Sequence, residues 1–335
     1  MTKILVTGGG GYIGSNACKQ LLNKGYEIVV VDDFSSGYQQ PLKLLTKHYG
    51  SSKIRFYAQD IREDLAYIFK KENNIMAVIH YAGVCSVNES VLNPYKYFSI
   101  NTAGTNNLLN QMLKFKIKNI VFSSSCAVYG EAIRIPIDEE HPTIPTNPYG
   151  QSKLMSEQII QWFHKSQGIN YIILRYFNVC GASDDGELGD SKKPSVHVVQ
   201  NAVRGAMGLE PFFLTCTKVN TPDNTPIRDY VDVVDLSVAH LKALQLLLKG
   251  KGNQIINLGT GTGYSVLQVI NDVQKITGSK TKVNIGHSRR GEYAQMVASN
   301  VKAKKLLDWK PERNLEDSVK TLMHWYTDRP NGWEN

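Results

Sequence analysis

Residues 8 to 14 read Gly-Gly-Gly-Gly-Tyr-Ile-Gly, directly after the apolar run Lys3 to Thr7 and directly before a helical pattern from Tyr12 to Asn23. A short β-branched run without polar alternation is the signature of a buried parallel strand. Strand, glycine turn and helix in that order is the opening unit of a doubly wound α/β sheet. Gly8 permits the tight turn. Gly11 lets backbone approach a pyrophosphate at the helix N-terminus, where Tyr12 and Ile13 begin the first turn. Gly14 allows the helix to pack closely on the strand. The next strand, Glu27 to Val31, ends in Asp32 and Asp33. A carboxylate there accepts a ribose 2′-hydroxyl and repels a 2′-phosphate, and no Arg follows directly, so the pattern favours NAD over NADP. A phosphate-binding turn for some other nucleotide is the rival reading.

Further strands are expected at Ile54 to Ala58, Met76 to Tyr81, Asn119 to Ser123 and Tyr171 to Tyr176. Helices are expected at Asp64 to Glu72, Tyr97 to Lys114 and Tyr149 to His164. The fold class is therefore α/β: a doubly wound parallel Rossmann sheet with a smaller C-terminal lobe. After Asn178 the texture changes to a Gly/Asp-rich loop and then a Pro/Thr-rich stretch from Thr215 to Pro226. This places an NAD-binding domain at 1–179 and a substrate-binding lobe at 180–335, with some sharing of strands.

The chain has 335 residues, 42% of them hydrophobic, enough for a sizeable core. No apolar run approaches the length of a membrane span and the N-terminus enters a strand at once, so a cytoplasmic protein without a membrane partner is expected. The net charge of +8 comes from scattered Lys and Arg, which argues against nucleic acid. The five cysteines have no CxxC spacing and the eight histidines no HxxxH or HExxH pairing, so free thiols and no metal are expected.

The chemistry is concentrated near residue 150. If Asn147 caps a helix that Pro148 opens, Tyr149 and Lys153 lie one turn apart on one face. Use of a tyrosine as a base near neutrality requires its pKa to fall by roughly 3 units, about 4 kcal/mol. One cation about 6 Å away at an effective dielectric of about 20 supplies on the order of 3 kcal/mol. A nicotinamide cation would supply more, against the cost of desolvating the phenolate. The chain carries its own control: Asn93, Pro94 and Tyr95 repeat the cap and the aromatic, but Ser99 stands where the lysine would be. Tyr95 reads as a packing residue.

Ligands of open α/β sheets sit outside the carboxyl ends of the strands. That singles out Asp60 and Ile61 after the third strand, Ala82 and Gly83 after the fourth, Ser123 to Ser125 at the fifth, and Phe177 and Asn178 after the sixth. A serine run alone is as easily a turn; beside Tyr149 and Lys153 it becomes a hydroxyl donor next to a base.

Val6 to Gly14, Phe122 to Ser125, Tyr149 with Lys153, Arg175 to Asn178, Ile227 to Tyr230 and Asn257 to Gly259 together resemble the extended short-chain dehydrogenase/reductases. Within them they most resemble the UDP-glucose 4-epimerase family, over nearly the whole chain. The resemblance implies a reversible oxidation at one sugar carbon. Tyr149, oriented with help from Ser125, would take the proton of the 4-hydroxyl while C4 gives hydride to NAD. Lys153 would hold the nicotinamide ribose. The 4-keto sugar would rotate about its link to the diphosphate and be reduced on its other face, so that NAD is regenerated. The cofactor-binding set expected on this basis is Gly8, Gly11, Tyr12, Ile13, Gly14, Asp32, Asp33, Asp60, Ile61, Ala82, Gly83, Asn101, Ser123, Tyr149, Lys153 and Tyr176. The UDP-sugar would be held by Ser125, Tyr149, Asn178, Arg228 and Arg289, with Glu292 reading the uridine ribose and Met296 walling the sugar pocket. In the family a bulky Tyr at the position of Met296 goes with exclusion of 2-acetamido groups; a flexible thioether is intermediate.

Departures from the family pattern are Cys85 for a cofactor-contacting Lys, Cys126 and Ala127 after the serines, Asp232 for a His, and Ser195 to His197 for the residues lining uridine. Dehydratases of the same superfamily need an acidic pair where Cys126 and Ala127 stand. The alternative readings are a 4-epimerase of another UDP-sugar (N-acetylglucosamine, pentose or uronate) and an inactive NAD-sensing regulator, which would have no need of Tyr149 and Lys153. Family analogy pairs the Tyr97 to Lys114 and Tyr149 to His164 helices across a homodimer.

Overall fold

The computed structural model describes residues 2–193, 195–216, 218–279, 282–286 and 292–334. In chain order its elements are β1 (Lys3–Thr7), α1 (Tyr12–Asn23), β2 (Glu27–Asp32), α2 (Gln40–Tyr49), β3 (Ile54–Ala58), α3 (Ala66–Lys71), β4 (Ile75–His80), α4 (Val87–Leu92) and α5 (Pro94–Tyr97). A π-helical segment (Phe98–Ala103) leads into α6 (Gly104–Lys114), β5 (Asn119–Ser125), α7 (Pro148–Gln167), β6 (Asn170–Tyr176), β7 (Asn178–Cys180), α8 (Val198–Ala206), β8 (Phe212–Leu214) and β9 (Ile227–Asp232). The chain continues with α9 (Val233–Leu248), β10 (Gln254–Leu258), β11 (Gly263–Ser265), α10 (Val266–Thr277), β12 (Val283–Ile285), β13 (Gln295–Met296), α11 (Val301–Leu307) and α12 (Leu315–Asp328).

Two compact units result. The first comprises 1–128, 145–175 and 237–256; the second comprises 129–144, 176–236 and 257–335. A single boundary after residue 179 is therefore too simple. The chain leaves the first unit after β5 and again after β6, and returns through α9 to add β10 as an edge strand.

The seven-stranded sheet has the order β10-β6-β5-β4-β1-β2-β3. The β1–β2, β1–β4, β2–β3 and β4–β5 pairs are parallel. Strand order reverses at β1, so the topological switch point lies between β1 and β4, beside the glycine turn. Parallel strands covered by helices bury both faces, which is why β1, β2 and β4 carry almost unbroken aliphatic runs. Leu5, Val29, Val31, Val78, Ile120 and Phe122 join Leu108, Leu109, Met112 and Ile160 of α6 and α7 in one core. In the second unit β9 is the hub, pairing in parallel with β7 and β13 and antiparallel with β11. Helices α8, α10 and α12 form its core around Val203, Val269, Val273, Leu322 and Trp325.

The expected single helix over Tyr97 to Lys114 is interrupted. The π segment 98–103 lies within it, where the Thr102 hydroxyl bonds the Ser152 carbonyl (3.2 Å) and the Thr105 hydroxyl bonds the Asn101 carbonyl (2.6 Å). Side-chain donors at 102 and 105 thus offer the backbone partners outside the regular helical ladder.

Candidate active site

Thr7 ends β1 and the chain turns on Gly8, whose φ of +73° falls in the left-handed region. A Cβ on Gly8 would stand 2.5 Å from the Ala82 nitrogen, and one on Gly14 would stand 2.1 Å from the Gly8 carbonyl. Both glycines are demanded by the protein itself. Gly11 is different. It caps α1 in an extended conformation, and its Cβ would meet nothing closer than the Gly8 oxygen at 3.4 Å. The small residue there leaves an opening at the N-terminal end of α1, where free N–H groups and the helix dipole favour an anion. Beside it, Asp32 is buried at the end of β2, its carboxylate accepting Gly10 N–H and Phe34 N–H at 2.8 Å each. Burial raises its pKa and those two hydrogen bonds oppose the rise. Asp33 is exposed and bonded to Ser35 instead. The cradle and the single inward carboxylate fit the pyrophosphate and ribose of NAD.

Other strand-end residues fall into distinct tasks. Asp60 is ion-paired to Arg62 (2.5 Å), which keeps its carboxyl below the ordinary range. Ile61 is buried in the core, and a Cβ on Gly104 would press on it. Asn101 clamps the β4 exit: its Oδ1 accepts Val84 N–H (2.9 Å) and its Nδ2 donates to the Val84 carbonyl (3.0 Å) and to Ser152 Oγ (2.9 Å). Gly83 lies between, its imagined Cβ 2.8 Å from Asn101 Oδ1 and 3.5 Å from Lys153 Nζ. Of these residues, Ala82 and Gly83 bring bare backbone to the site, and Asn101 holds that backbone in place.

Helix α7 starts as the sequence reading requires. Asn147 is extended, its side chain accepts Gly150 N–H at 2.9 Å, and Pro148 occupies the first turn. Tyr149 and Lys153 both lie buried on the inner face. The Tyr149 ring meets the fully buried Tyr97 edge-on at 6.3 Å. Lys153 Nζ donates to the Ser123 carbonyl at 2.9 Å and sits 4.9 Å from the centre of the Phe122 ring. Burial pulls its pKa down to about 8, with Cys85 and Glu157 acting the other way.

The serine run divides its work. Ser123 Oγ is 2.7 Å from His240 Nε2, and Ser124 Oγ donates to Glu157. Glu157 in turn receives a two-pronged contact from the buried Arg175 guanidinium, at 2.6 Å and 3.0 Å. Ser125 Oγ accepts Ala127 N–H at 3.2 Å, which leaves its own hydroxyl hydrogen for a ligand. The Glu157–Arg175 pair and His240 were not singled out from the sequence. The available signal was spacing: Glu157 falls one helical turn after Lys153, on the same face of α7.

In the second unit, β9 brings the expected substrate residues together. Asn178 stands opposite Tyr230, and Arg228 stands opposite the buried Met296. Arg228 Nη1 donates to the carbonyls of Ile227 (2.9 Å) and Tyr293 (3.0 Å). Asp229 is buried as a brace, accepting Thr260 N–H, Thr260 hydroxyl, Gly261 N–H and Ala298 N–H. Tyr230 is a buried phenol whose pKa is raised by burial, with Arg228 opposing. Glu292 is half-buried and Tyr176 closes β6 half-buried. Arg289 lies outside the described residues. Asp232, in place of the family's His, is accommodated by the Val234 N–H (2.8 Å) and the Ser318 hydroxyl (2.7 Å), and burial carries its pKa up to about 7. It is a packing element of the second unit.

The fold and the site define a nucleotide-binding α/β enzyme of the dehydrogenase-like kind. The family model that matches residues 4–259 is that of the NAD dependent epimerase/dehydratase family. The chain belongs to this family. It is 41% identical to a UDP-glucose 4-epimerase of Bacillus subtilis, with 99% of each chain covered. Its fold superposes with a TM-score of 0.94 on the UDP-glucose 4-epimerase of Bifidobacterium longum solved with NAD+ and UDP, at 38% identity and covering 99% of this chain and 100% of that one. A UDP-Glc/GlcNAc 4-epimerase from Campylobacter jejuni is also similar, at 34% identity and a TM-score of 0.83, covering 98% of this chain and 100% of that one.

Proposed function

We propose that this chain interconverts UDP-glucose and UDP-galactose by 4-epimerisation with bound NAD. The observation that carries the reading is the pair on α7: a buried Lys153 one helical turn from a buried Tyr149, beside a glycine cradle that fits a dinucleotide.

Bound NAD supplies the acceptance and return of hydrogen at C4. The chain's residues do the rest. Tyr149 takes the proton of the sugar 4-hydroxyl and later returns it, its phenolate favoured by the Lys153 ammonium. Lys153, held by the Ser123 carbonyl, would also hold the nicotinamide ribose. Ser125 gives its hydroxyl hydrogen to the sugar oxygen as charge develops there. Asn178 and Arg228 hold the diphosphate, Arg289 joins them, and Glu292 takes the uridine ribose. Anchoring through UDP leaves the sugar loose enough to turn over while its ketone is retained. The first unit thus serves the cofactor and the second the nucleotide-sugar.

A second activity, on the N-acetylated pair, is favoured by Met296, a buried but unbranched side chain that can swing aside. The test of the main reading is turnover on a panel of UDP-sugars, followed by separation of the epimers. Conversion of UDP-glucose to UDP-galactose without release of reduced cofactor is expected. Activity confined to a pentose or uronate pair would move the assignment to the alternative epimerase.

Two further readings accompany it. The chain self-associates by pairing the helices around Tyr97 to Lys114 and Tyr149 to His164 of two copies, and Val91, Leu92, Tyr95 and Trp162 on α4, α5 and α7 are exposed by 61%, 86%, 82% and 65%. Large apolar side chains exposed on neighbouring helices are typical of an interface. Its five cysteines, none of them in a disulfide, suit the reducing environment of the cytoplasm. No helix among the described residues is long and apolar enough to cross a membrane.

A further inference from the structure

Beneath the cofactor cradle lies a hydrogen-bonded chain that the reaction does not itself require. His80, the last residue of β4, is 1% exposed. Its Nδ1 is 2.7 Å from Thr7 Oγ1 and its Nε2 is 3.0 Å from Thr105 Oγ1. Each threonine has a second partner, and those partners fix the direction of every bond. Thr105 gives its one hydroxyl hydrogen to the Asn101 carbonyl at 2.6 Å, so toward His80 it can only accept. Nε2 therefore carries a proton. A neutral ring then has a bare Nδ1, which receives the hydroxyl hydrogen of Thr7, while Thr7 Oγ1 accepts Ala82 N–H at 3.3 Å. The donors run one way: Ala82 to Thr7 to His80 to Thr105 to Asn101.

The two ends of this chain grip the same short segment. At one end Ala82 N–H is tied down where a Cβ on Gly8 would stand 2.5 Å away. At the other end is Asn101, whose side chain clamps both the N–H and the carbonyl of Val84. Between them is Gly83, whose imagined Cβ would come within 3.5 Å of Lys153 Nζ. A doubly protonated imidazole would present two donors, and Nδ1–H has no acceptor in Thr7 unless Thr7 gives up its present bond. Burial first, and the nearby Lys153 ammonium second, act against the ring's charge. His80 holds its place only as the neutral ring.

We propose that His80 is a positioning residue: a neutral imidazole, protonated on Nε2, that couples Thr7 to the Thr105–Asn101 clamp and so fixes residues 82–84 against the bound NAD and Lys153. The inference rests on the NAD-dependent reading above. It touches neither substrate nor reacting atoms.

The test has three arms. In nitrogen-15 spectra of histidine-labelled protein, His80 should show the neutral Nε2–H pattern, unchanged between pH 8 and 5. Thr105→Val, nearly isosteric, should release bound NAD about 10-fold faster and lower kcat about 10-fold, with KM for the UDP-sugar and the melting temperature little changed. His80→Gln, which keeps one acceptor and one donor, should recover most of what His80→Leu loses. A neutral Nδ1–H pattern, a protonated ring at pH 7, or wild-type NAD retention in Thr105→Val would overturn the proposal. If His80→Leu does not fold, the spectra and Thr105→Val decide. NAD retention and tautomer are read without any sugar, so failure of the wild type to epimerise UDP-sugars leaves this test standing.

Discussion

Tyr149 and Tyr95 each follow an Asn-Pro cap, and structure separates them by burial: Tyr149 is 7% exposed and Tyr95 82%, so Tyr95 is not the packing residue its sequence suggested. Tyr149→Phe removes the proposed proton acceptor and should cut turnover by at least roughly 100-fold, the scale of general acid–base catalysis. Tyr95→Phe should leave turnover nearly intact; equal losses in the two variants would remove the tyrosine–lysine pair from the mechanism. Single residues of this kind were legible in the sequence because their chemistry depends on local spacing. What the spacing could not show is how neighbours share tasks. Ser123, Ser124 and Ser125 read as one run, yet they turn to His240, to Glu157 and to the Ala127 amide, the first two partners set by chain segments 117 and 33 residues away. Met296 is a second test at this scale. Met296→Ser should raise the ratio of N-acetylated to plain sugar turnover and Met296→Tyr should lower it. A constant ratio across the three proteins would exclude Met296 as a gate.

At the scale of elements, the glycine turn was legible because strand, turn and helix are adjacent in sequence. Its glycines still differ in what they do. Gly14→Ala drives a Cβ to 2.1 Å from the Gly8 carbonyl, a clash with backbone that cannot be relieved by a side-chain rotation. That variant should be strongly destabilised, by several kcal/mol at roughly the scale of severe overpacking. Gly11→Ala meets only an ordinary contact at 3.4 Å, so it should keep its melting temperature while binding NAD more weakly. Thermal unfolding without cofactor and titration with NAD separate the two; loss of stability in Gly11→Ala would show that its opening is structural. Helix α7 was equally legible from its cap and proline. The π segment was not: Asn101 and Thr102 within it bond Ser152 and Ser156 on α7, some 50 residues on. Strand β10 escaped for a related reason: it joins the sheet beside β6 only after the chain has passed twice through the second unit.

For the whole molecule, pH and self-association are the quantities that integrate these local choices. Burial first, and the Lys153 ammonium second, push the His80 pKa down from its ordinary 6.5 to about 3. Between those values the unfolded chain binds a proton that the folded chain refuses, so its contribution to stability is lost as pH falls below 6.5. By pH 4.5 the loss is about 3 kcal/mol. Urea unfolding of wild type and His80→Gln at pH 7 and 4.5 should show the wild type losing about that much more; parallel losses would mean that His80 already charges in the fold. Association is the larger-scale counterpart. Helices α4 and α5 are short, and their outward side chains Val91, Leu92 and Tyr95 would each be satisfied by burial against a second copy, as would Trp162 on α7. Burial of a large aliphatic or aromatic side chain is worth about 1.5–3 kcal/mol. Replacing two of them by charges, Leu92→Glu with Trp162→Glu, removes that gain and adds a desolvation cost if the face is covered. Sedimentation should find the wild type as a dimer and the double variant as a folded monomer. A wild type that sediments as a monomer at micromolar concentration, or a double variant that stays dimeric, would place the contact elsewhere or nowhere.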